Sequence, residues 1–560
     1  MDYQLAIIGA GVSGMVAALL AKQANMSVVL VDKLARGQQQ SHAHYLNAYS
    51  IEILAQVGLD LDALAKVSVA SPQAVTMAYG YSFSQLYHVV DLQKDPDYIK
   101  LSSQQGPYGA CLNVRYDYLV QALLALIDAE DIPVLWEHSF ESLSLASHTV
   151  SLRVAKEDVV LKVSALLACD GTHSKVRRCV VEDFRPPAPL QSFVSFVMHA
   201  DLRPYVAHDA LLYWIYHRAC RCCVVAHDLA RYQVVQLPIF PPYDKVTDYS
   251  VARLQTLMQK VVGDEHFKPD ITELGSWQMS SFVLPAMQYD WVYLAGDAAH
   301  TMTPAGGLGL NTALADVFNM IWKLAAYQRR NHADIMVSYQ LERHPVAVAN
   351  VQNAYDNYQD FVRPAAAVGL DIAHAPSFAA LQQGISHYCP SPLANSLNEV
   401  ATLPMQWAYD VLHANNPLSY ELKKNMLHKI YKNAHHFSGI DQHLLFRYKD
   451  GFYVDTDCVQ QDTEFRVGAR LPYLCCNKNG KLVSTYDAFS YGKWMLLVGA
   501  QVKADFVMEL DRCVVVADGT LADIQQSLAD RWVLVRPDAI VAWYGSDRQA
   551  LAALIKKWIF

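Results

Sequence analysis

The sequence predicts an α/β protein with several domains, and three observations support this prediction. The chain has 560 residues, whereas a single hydrophobic core stops growing near ~250 to 300 residues, so we expect several compact units. Near the N-terminus an apolar strand, a glycine-rich turn, a helix and a second strand follow one another. From about Pro186 to Val283 short strands follow one another without helix–strand alternation, which predicts an inserted antiparallel sheet.

The first element is a strand–turn–helix–strand unit that reads YQLAII, GAGVSG, MVAALLAKQA and SVVLVD. Gly9 permits a tight turn, Gly11 lets the backbone approach a pyrophosphate, and Gly14 lets the helix pack closely on the strand. Asp32 ends the second strand, where a carboxylate accepts hydrogen bonds from ribose hydroxyls. Lys33 follows it and is either a contact to the adenosine half or a solvated loop residue. The pattern predicts a Rossmann-type unit and does not separate NAD from FAD.

A second glycine-rich stretch, LAGDAAHTMTPAGGLGLNTALAD, lies between an apolar strand and an amphipathic run. The strand ends at Gly296 and Asp297, and the spacing of the later apolar residues predicts that a helix opens at Gly309 or Asn311. A helix N-terminus favours negative charge, and Asp297 can accept hydrogen bonds from a chain of hydroxyls. A ligand with a pyrophosphate, a polyol and a group that becomes anionic on reduction is FAD. NAD has no ribityl chain.

The segment GDAAHTMTPAGGLGLNTALADVFNMIWKL resembles the pattern GDAAHxxxPxGGxGxNxxxxDxxNLxWKL of the class A flavoprotein aromatic monooxygenases, which include phenol hydroxylase and p-hydroxybenzoate hydroxylase. The resemblance implies that Asp297 holds the FAD ribitol and that Pro304 borders the reactive flavin. It also places the backbone of four residues near the isoalloxazine: Gly307, Gly309, Leu310 and Asn311.

Two other segments extend the resemblance. ALLACDGTHSKVRR is similar to the family segment ADGxxSxVR, which implies that Asp170 takes part in FAD and NAD(P)H binding. The resemblance puts Arg115 near the flavin, with a helix-surface charge as the alternative. The chain carries His42, His44 and Tyr49 in a stretch where relatives often have arginine, so the pyridine-nucleotide contacts stay open.

The domain organisation follows from these segments. We expect an FAD-binding domain (1–75, 106–185 and 278–345), a substrate-binding domain (76–105 and 186–277), a helical segment (346–440) and a C-terminal domain (441–560). YQLERHPVA is similar to the family's YExERxPVA segment, with Pro345 just inside a new helix. LVRPDAIVAWYG resembles the end of the thioredoxin-like domain of phenol-hydroxylase-type members. Because Cys475 and Cys476 are adjacent and no CxxC is present, this domain is predicted to be structural.

Composition limits the partners. A formal net charge of −9 offers no basic face for nucleic acid. No segment approaches the ~20 uninterrupted apolar residues of a membrane helix, and no signal peptide is predicted, so we expect a cytoplasmic protein without a membrane span. The cysteines are scattered, and even the cluster Cys220, Cys222 and Cys223 lacks a second ligand pair, so no metal site is predicted. A homodimer is possible.

The predicted function is that of an FAD-dependent monooxygenase. It would use NAD(P)H and O2 to oxygenate an aromatic or polyketide-like small molecule through a flavin C4a-hydroperoxide. In the substrate domain Tyr213, Tyr216 and His227 are the candidate neighbours of a phenolic substrate, each with a packing role as the alternative. Two other functions stay open: a redox-silent cyclase or isomerase built around FAD, and a non-catalytic flavin-binding protein.

Overall fold

The structure is a computed structural model, and it describes residues 2–38, 45–70, 76–96, 99, 111–217, 219–239, 245–330, 333–367, 446–451, 453, 465–478, 481–502, 513–516, 519–559 and parts of 416–428. Its three largest sheets have eight, seven and four strands, and we call them the first sheet, the second sheet and the C-terminal sheet. In these ranges no helix is long and apolar enough to cross a membrane.

The first sheet is built around parallel strands with buried side chains on both faces. Its strands, in spatial order, are Gln288–Tyr289, Val292–Leu294, Glu157–Ala168, Tyr3–Ile8, Val28–Val31 and Val134–Leu135. The strand Thr149–Val154 pairs with the first half of the strand Glu157–Ala168, and the strand Ser139–Ser144 pairs with Thr149–Val154 on its other side. Because five neighbouring strands run parallel, their carboxyl ends meet at one edge. That edge carries both glycine-rich turns.

Helices cover this sheet. The helix Val12–Gln23 packs between the strands and the helix Leu308–Arg330. Its Ala- and Leu-rich surface is therefore buried almost all round. The other elements of this region are the helices Ala48–Gln56, Leu61–Lys66, Tyr116–Ala129 and Lys175–Val180, a small sheet of Tyr45–Asn47, Cys111–Asn113 and Val69–Ala70, and the strand pair Phe282–Val283 and His300–Thr301.

The second sheet is formed by the insertion that the sequence predicted. Its strands, in spatial order, are Asp270–Met279, Gln191–His199, Tyr232–Ile239, Arg221–Asp228, Leu212–Tyr216, Thr76–Gly80 and Leu86–Asp91. All neighbours are antiparallel except Leu212–Tyr216 and Thr76–Gly80, which are parallel. These two strands come from separate insertions, so no tight turn forces them to run in opposite directions. The expected domain boundary at 277 falls inside the strand Asp270–Met279.

One helix of the insertion was missed in the sequence. The segment Val251–Val262 is an amphipathic helix that packs on one face of the second sheet. The Ser250 side chain caps its N-terminus by accepting a hydrogen bond from the Arg253 amide, and Gly263 ends it at a φ of +82°. Serine and glycine commonly begin and end helices in this way, so Ser250 and Gly263 could have indicated this helix in the sequence.

We expected Pro345 to lie just inside a new helix, but it lies within the continuous helix Ala333–Ala367. A proline here cannot donate to the carbonyl of Leu341. Leu341 and Pro345 are both exposed, so water can satisfy that carbonyl and the helix continues. Most of the predicted helical segment 346–440 lies outside the described residues.

The C-terminal sheet has the order Cys513–Val516, Trp494–Val498, Trp532–Val535 and Val541–Gly545. The first pair is parallel and the other two pairs are antiparallel, in agreement with the predicted thioredoxin-like arrangement. The helices Ala522–Leu528 and Arg548–Trp558, the short helix Thr485–Ala488 and the hairpin Cys475–Lys478 and Lys481–Ser484 complete the described part. Cys475 is exposed whereas Cys476 is buried, as expected for neighbours on a strand that point to opposite faces.

Candidate flavin site and substrate face

The nucleotide turn contains glycines with different tasks. Gly9 has a φ of +106°, and a Cβ atom there would collide with the carbonyl of Cys169. A Cβ on Gly14 would collide with the carbonyl of Gly9. At Gly11, by contrast, the nearest atom to a Cβ is the Tyr116 hydroxyl, 3.8 Å away. The fold therefore requires Gly9 and Gly14, whereas Gly11 borders open space.

Asp32 holds this turn in place. It is buried after the strand Val28–Val31, and its two oxygens accept hydrogen bonds from the Ala10 amide (2.7 Å) and the Leu34 amide (2.8 Å). Lys33 beside it is exposed. Gly11 has no side chain to cap the following helix, so the first amides of that helix stay available to a phosphate.

Asp297 lies in a tight turn, Gly296–Ala298, directly after the strand Val292–Leu294. Its carboxylate accepts a hydrogen bond of 3.1 Å from the Thr172 hydroxyl. The residue is exposed, yet the surrounding protein desolvates the carboxyl group and raises its pKa, against the opposing effect of His300. An accessible carboxylate with dense surroundings lies in a cleft rather than on a convex surface.

The helix that follows begins at Leu308, one residue before the predicted opening at Gly309. The loop ends there because Gly306 and Gly307 have φ values of +99° and +64°, and the Gly307 amide donates to the Pro304 carbonyl at 3.0 Å. Pro304 is exposed. A Cβ on Gly309 would meet nothing closer than a Met302 carbon at 3.9 Å, so Gly309, like Gly11, borders open space.

Asn311 fixes the loop with its side chain. Its amide nitrogen donates to the carbonyls of Gly307 (2.6 Å) and Tyr45 (3.0 Å), and its oxygen accepts from the Asn47 amide (2.9 Å). The residue is buried, whereas its neighbour Leu310 is half-buried. Asn311 thus ties the helix start to the strand Tyr45–Asn47.

Asp170 follows the strand Glu157–Ala168 at the same edge of the sheet. One of its oxygens accepts hydrogen bonds from the amides of Lys175 (2.8 Å) and Val176 (3.2 Å). The other oxygen is buried and has no hydrogen-bond partner among the described residues, and burial raises the pKa of the carboxyl group. A buried acceptor without a donor, together with two glycines that border open space, fits a ligand with hydroxyl and phosphate groups.

Arg115 lies between the two large domains. It precedes the helix Tyr116–Ala129, forms an ion pair with Asp117 at 2.6 Å, and stacks over the rings of Tyr118 and Tyr232, with its guanidinium carbon 3.7 Å from the Tyr232 centroid. Tyr232 belongs to the second sheet. The contact therefore joins the first domain to the inserted one.

Three residues depart from the family pattern on the expected nicotinamide side, and of these only Tyr49 lies among the described residues. Tyr49 is buried and packs against Phe318 and Phe446, with ring centroids 6.2 and 5.6 Å away. It is thus a core residue of the first domain. His42 and His44 lie outside the described residues.

The two tyrosine candidates of the second sheet lie on opposite faces. Tyr213 is fully buried in the core under the helix Val251–Val262. Its hydroxyl donates to the His208 carbonyl (2.8 Å) and accepts from the Ala210 amide (2.9 Å). This geometry fits the packing role given as its alternative.

Tyr216 is on the other face, and its buried hydroxyl has no hydrogen-bond partner among the described residues. Burial raises the pKa of this phenol well above its usual value, against the lowering effect of Arg221, its partner on the neighbouring strand. A row of cross-strand neighbours lies on the same face: Tyr79, Trp214, Cys223, Gln236 and Ser195. We call Tyr216 and this row the substrate face.

The substrate face is turned toward the first domain. Tyr232 and Val234 alternate with Gln236 along one strand and therefore share its face. Tyr232 lies under Arg115, and Val234 belongs to a small apolar cluster packed against Val69 of the first domain. His227 is at the margin of this face, with its ring centroid 6.0 Å from that of Tyr232.

A group of buried polar residues around the Asp297 turn and the helix Leu308–Arg330 was not singled out as functional from the sequence. Asp316, Asn319 and Lys323 follow one another on the helix Leu308–Arg330 at helical spacing, and none of them is exposed. His300, in the short strand His300–Thr301 that follows the Asp297 turn, is equally buried. A signal was present, because these polar residues recur on a helix face that the apolar pattern predicted to be buried.

The described residues hold no cluster of His, Cys, Asp and Glu that could bind a metal ion. Cys222 belongs to the core of the second sheet, where the pKa of its thiol is raised by a hydrogen bond with Cys220 and by burial. The Cys222 thiol is accordingly a protonated packing group at neutral pH.

The fold and the cleft at its sheet edge define an FAD-binding α/β protein, and comparisons with known proteins agree. The profile of the family described as FAD binding domain matches residues 2–354, and that of the aromatic-ring hydroxylase C-terminal domain matches residues 464–559. The chain belongs to this FAD-binding family. It is an FAD-dependent monooxygenase, as predicted from the sequence.

Individual relatives are distant. The chain is 23% identical to 2,4-dichlorophenol 6-monooxygenase of Delftia acidovorans over 97% of its length and 95% of that protein. It is 24% identical to aklavinone 12-hydroxylase RdmE of Streptomyces purpurascens over 70% of its length and 66% of that protein. The crystal structure of the flavin-dependent monooxygenase PieE with FAD and substrate superposes with a TM-score of 0.85 at 22% identity, covering 100% and 99% of the two chains. The predicted fold class is confirmed.

Proposed function

We propose that this monooxygenase oxygenates a planar phenolic molecule of polyketide type, bound between the flavin and the substrate face. The observation that carries this proposal is the buried hydroxyl of Tyr216, which has no partner among the described residues. Leaving such a hydroxyl unpaired is costly, so a substrate oxygen is its natural partner.

The composition of the substrate face supports a flat aromatic ligand. Trp214 and Tyr79 supply ring surfaces, while Gln236 and Ser195 supply hydrogen-bonding groups in the same row. Sites for such ligands combine apolar walls with a few directed polar groups. Arg221 beside Tyr216 favours a substrate oxygen that carries negative charge, as a phenolate does. The relatives named as acting on dichlorophenol and aklavinone fit this class.

Bound FAD supplies oxygen activation, and NAD(P)H is the expected reductant. The chain's own residues bind and orient. The amides at the start of the helix Leu308–Arg330 favour negative charge near Gly309, and the open Cβ position there leaves room for a ring system. Asp297 and Asp170 offer acceptors for hydroxyl groups. Tyr216 holds the phenol oxygen, and Arg221 stabilises its charge.

The experiment is a panel of phenols with one to four fused rings, tested for substrate-dependent NAD(P)H oxidation and for perturbation of the bound flavin's visible spectrum. We expect the fused-ring phenols to give the largest stimulation and the lowest KM. Methyl ethers of the best compound serve as the matched control, because they keep the shape and remove the ionisable hydroxyl. Equal activity of phenol and methyl ether would contradict the role given to Tyr216 and Arg221.

A further inference from the structure

We infer that the C-terminal domain positions the flavin-binding turn through a buried cluster of charged residues. The cluster joins three basic and three acidic side chains, all buried: Lys323, Arg343 and Arg536 with Asp316, Glu342 and Asp538. Asp316 contacts the turn that carries Asp297, whereas Arg536 and Asp538 belong to the C-terminal domain. Asp316 is thus a positioning residue for the FAD site, and the far end of its support lies in another domain.

Asp316 holds both ends of the turn. One of its oxygens accepts a hydrogen bond of 3.1 Å from the Gly296 amide and lies 2.7 Å from the Nε2 atom of His300. Gly296 precedes Asp297 and has a φ of +57°. A Cβ on Gly296 would lie 2.8 Å from the Ala313 side chain, so the turn is also pressed against the helix. The direction of the Asp297 carboxylate therefore depends on the Asp316 carboxylate.

Arg343 supports Asp316 from the next helix. Its Nε atom donates to the other oxygen of Asp316 at 2.9 Å, and its terminal nitrogens reach the Thr312 carbonyl and the Tyr448 hydroxyl at 3.3 Å. Burial alone would raise the pKa of the Asp316 carboxyl group, but Arg343 and His300 overcome this effect and lower it. Asp316 stays ionised because Arg343 is beside it.

The C-terminal domain completes the cluster. Arg536 donates two hydrogen bonds to Glu342, at 2.6 and 2.8 Å, and two to Asp538, at 2.9 and 2.6 Å. Lys323 also donates to Glu342, at 2.7 Å. The Asn319 amide lies within hydrogen-bonding distance of Glu342 (2.7 Å), Asp538 (3.1 Å) and the Tyr448 hydroxyl (3.4 Å). Since Glu342 and Arg343 are adjacent on one helix, a shift of Arg536 is passed to Arg343 and Asp316.

The molecule contains a matched control for this inference. Arg470 of the C-terminal domain and Glu52 of the helix Ala48–Gln56 form a second buried ion pair between the same two domains. No hydrogen bond of the described residues connects this pair to Gly296 or His300. Loss of the Glu52–Arg470 pair therefore removes a comparable interdomain contact without touching the flavin turn.

The test measures FAD release from purified holoenzyme by the rise of free-FAD fluorescence, together with the flavin absorbance spectrum and the melting temperature. Four variants are compared: Asp316→Asn, Asp538→Asn, Arg343→Lys and Arg470→Gln. We expect Asp316→Asn and Asp538→Asn to accelerate release by about tenfold, because each leaves a buried guanidinium group short of an anionic partner. Both should shift the flavin absorbance maximum. Arg343→Lys keeps the charge beside Asp316 but loses the planar group that also reaches Thr312 and Tyr448, so its release should be intermediate, about threefold to fivefold faster than that of the parent.

The control decides between positioning and general stability. Arg470→Gln should lower the melting temperature by as much as Asp538→Asn does, while its FAD release stays within about twofold of the parent and its flavin spectrum is unchanged. If FAD release follows the melting temperature equally in all variants, Arg470→Gln included, the inference is wrong. Should Asp316→Asn fail to fold, Asp538→Asn against Arg470→Gln gives the same decision.

Discussion

The cofactor edge of the first sheet and the substrate face of the second sheet are built from different parts of the chain. At the cofactor edge the groups open to a ligand come from the backbone amides of tight turns and helix starts, and Gly11 and Gly309 carry no side chain that would obstruct them. At the substrate face they come from side chains that meet only through the register of neighbouring strands, such as Trp214 opposite Cys223. Backbone-built sites restrict the sequence strongly, whereas a face built from side chains accepts many sequences.

This difference predicts that the cofactor edge tolerates fewer substitutions than the substrate face. The flavin turn is further stabilised by buried charges, including the contact of Asp316 with the Gly296 amide. On the substrate face, by contrast, Tyr216 carries a polar group that the described residues do not satisfy. Changes at the cofactor edge should therefore abolish function, and changes at the substrate face should alter selectivity.

The largest effect is expected from Gly11→Val. A Cβ at this position meets no atom closer than 3.8 Å, so the protein has room for it, but the branched side chain would occupy the expected path of the pyrophosphate. FAD affinity should fall by about 100-fold or more while the melting temperature of the apoprotein is kept. Gly14→Val is the contrast, since its Cβ collides with the Gly9 carbonyl and the chain should not fold. Full FAD content in purified Gly11→Val would refute the placement of the phosphates.

A smaller effect separates the two acidic residues of the cofactor edge. Asp297→Ala should accelerate FAD release by about tenfold, because we expect its carboxylate to hold the ribitol directly. Asp170→Ala should release FAD less readily and should mainly slow reduction by NAD(P)H. Rapid-mixing reduction kinetics and FAD release, measured on both variants, check this division. Equal losses in both assays would show that the two residues do not differ in role.

The tyrosine pair tests the substrate face with matched substitutions. Tyr216→Phe removes a buried hydroxyl that has no partner among the described residues, so it should keep or raise the melting temperature while it raises the substrate KM by about tenfold. Tyr213→Phe removes the hydroxyl that is hydrogen-bonded to the backbone of His208 and Ala210. It should therefore lower the melting temperature and leave KM within about twofold. Calorimetry and steady-state kinetics give both values. The reverse pattern would place the substrate elsewhere.

The smallest effect is expected in the C-terminal domain. Cys475→Ser and Cys476→Ser should leave turnover within about threefold, because one thiol is exposed, the other only packs, and the two point to opposite faces. Turnover and FAD content should be measured on the same preparations. A collapse of turnover with normal FAD content would reveal thiol chemistry in this domain.

The same contrast decides how much the sequence could predict. The turns at Gly9 and Asp297 were predictable, because each is a local pattern of strand, glycine and helix. The pairing of Tyr216 with Arg221, and the core-facing position of Tyr213, depend on strand register, which no local pattern fixes. The ion pairs of Glu342 with Lys323 and Arg536 could not be predicted for a related reason, because Glu342 and Arg536 are 194 positions apart in the sequence. Pro345 was misassigned because an exposed helix face tolerates a lost amide donor.

The central claim is that the bound flavin cycles and delivers oxygen to a phenolic substrate. The most direct measurement is turnover of the best compound of the phenol panel under 18O2 with NAD(P)H, with the isotope content of the product determined by mass spectrometry. The account predicts one 18O atom per product molecule, one equivalent of NAD(P)H consumed, and no product without oxygen. Product formed anaerobically and without NAD(P)H would contradict the claim and favour redox-silent chemistry on the same scaffold.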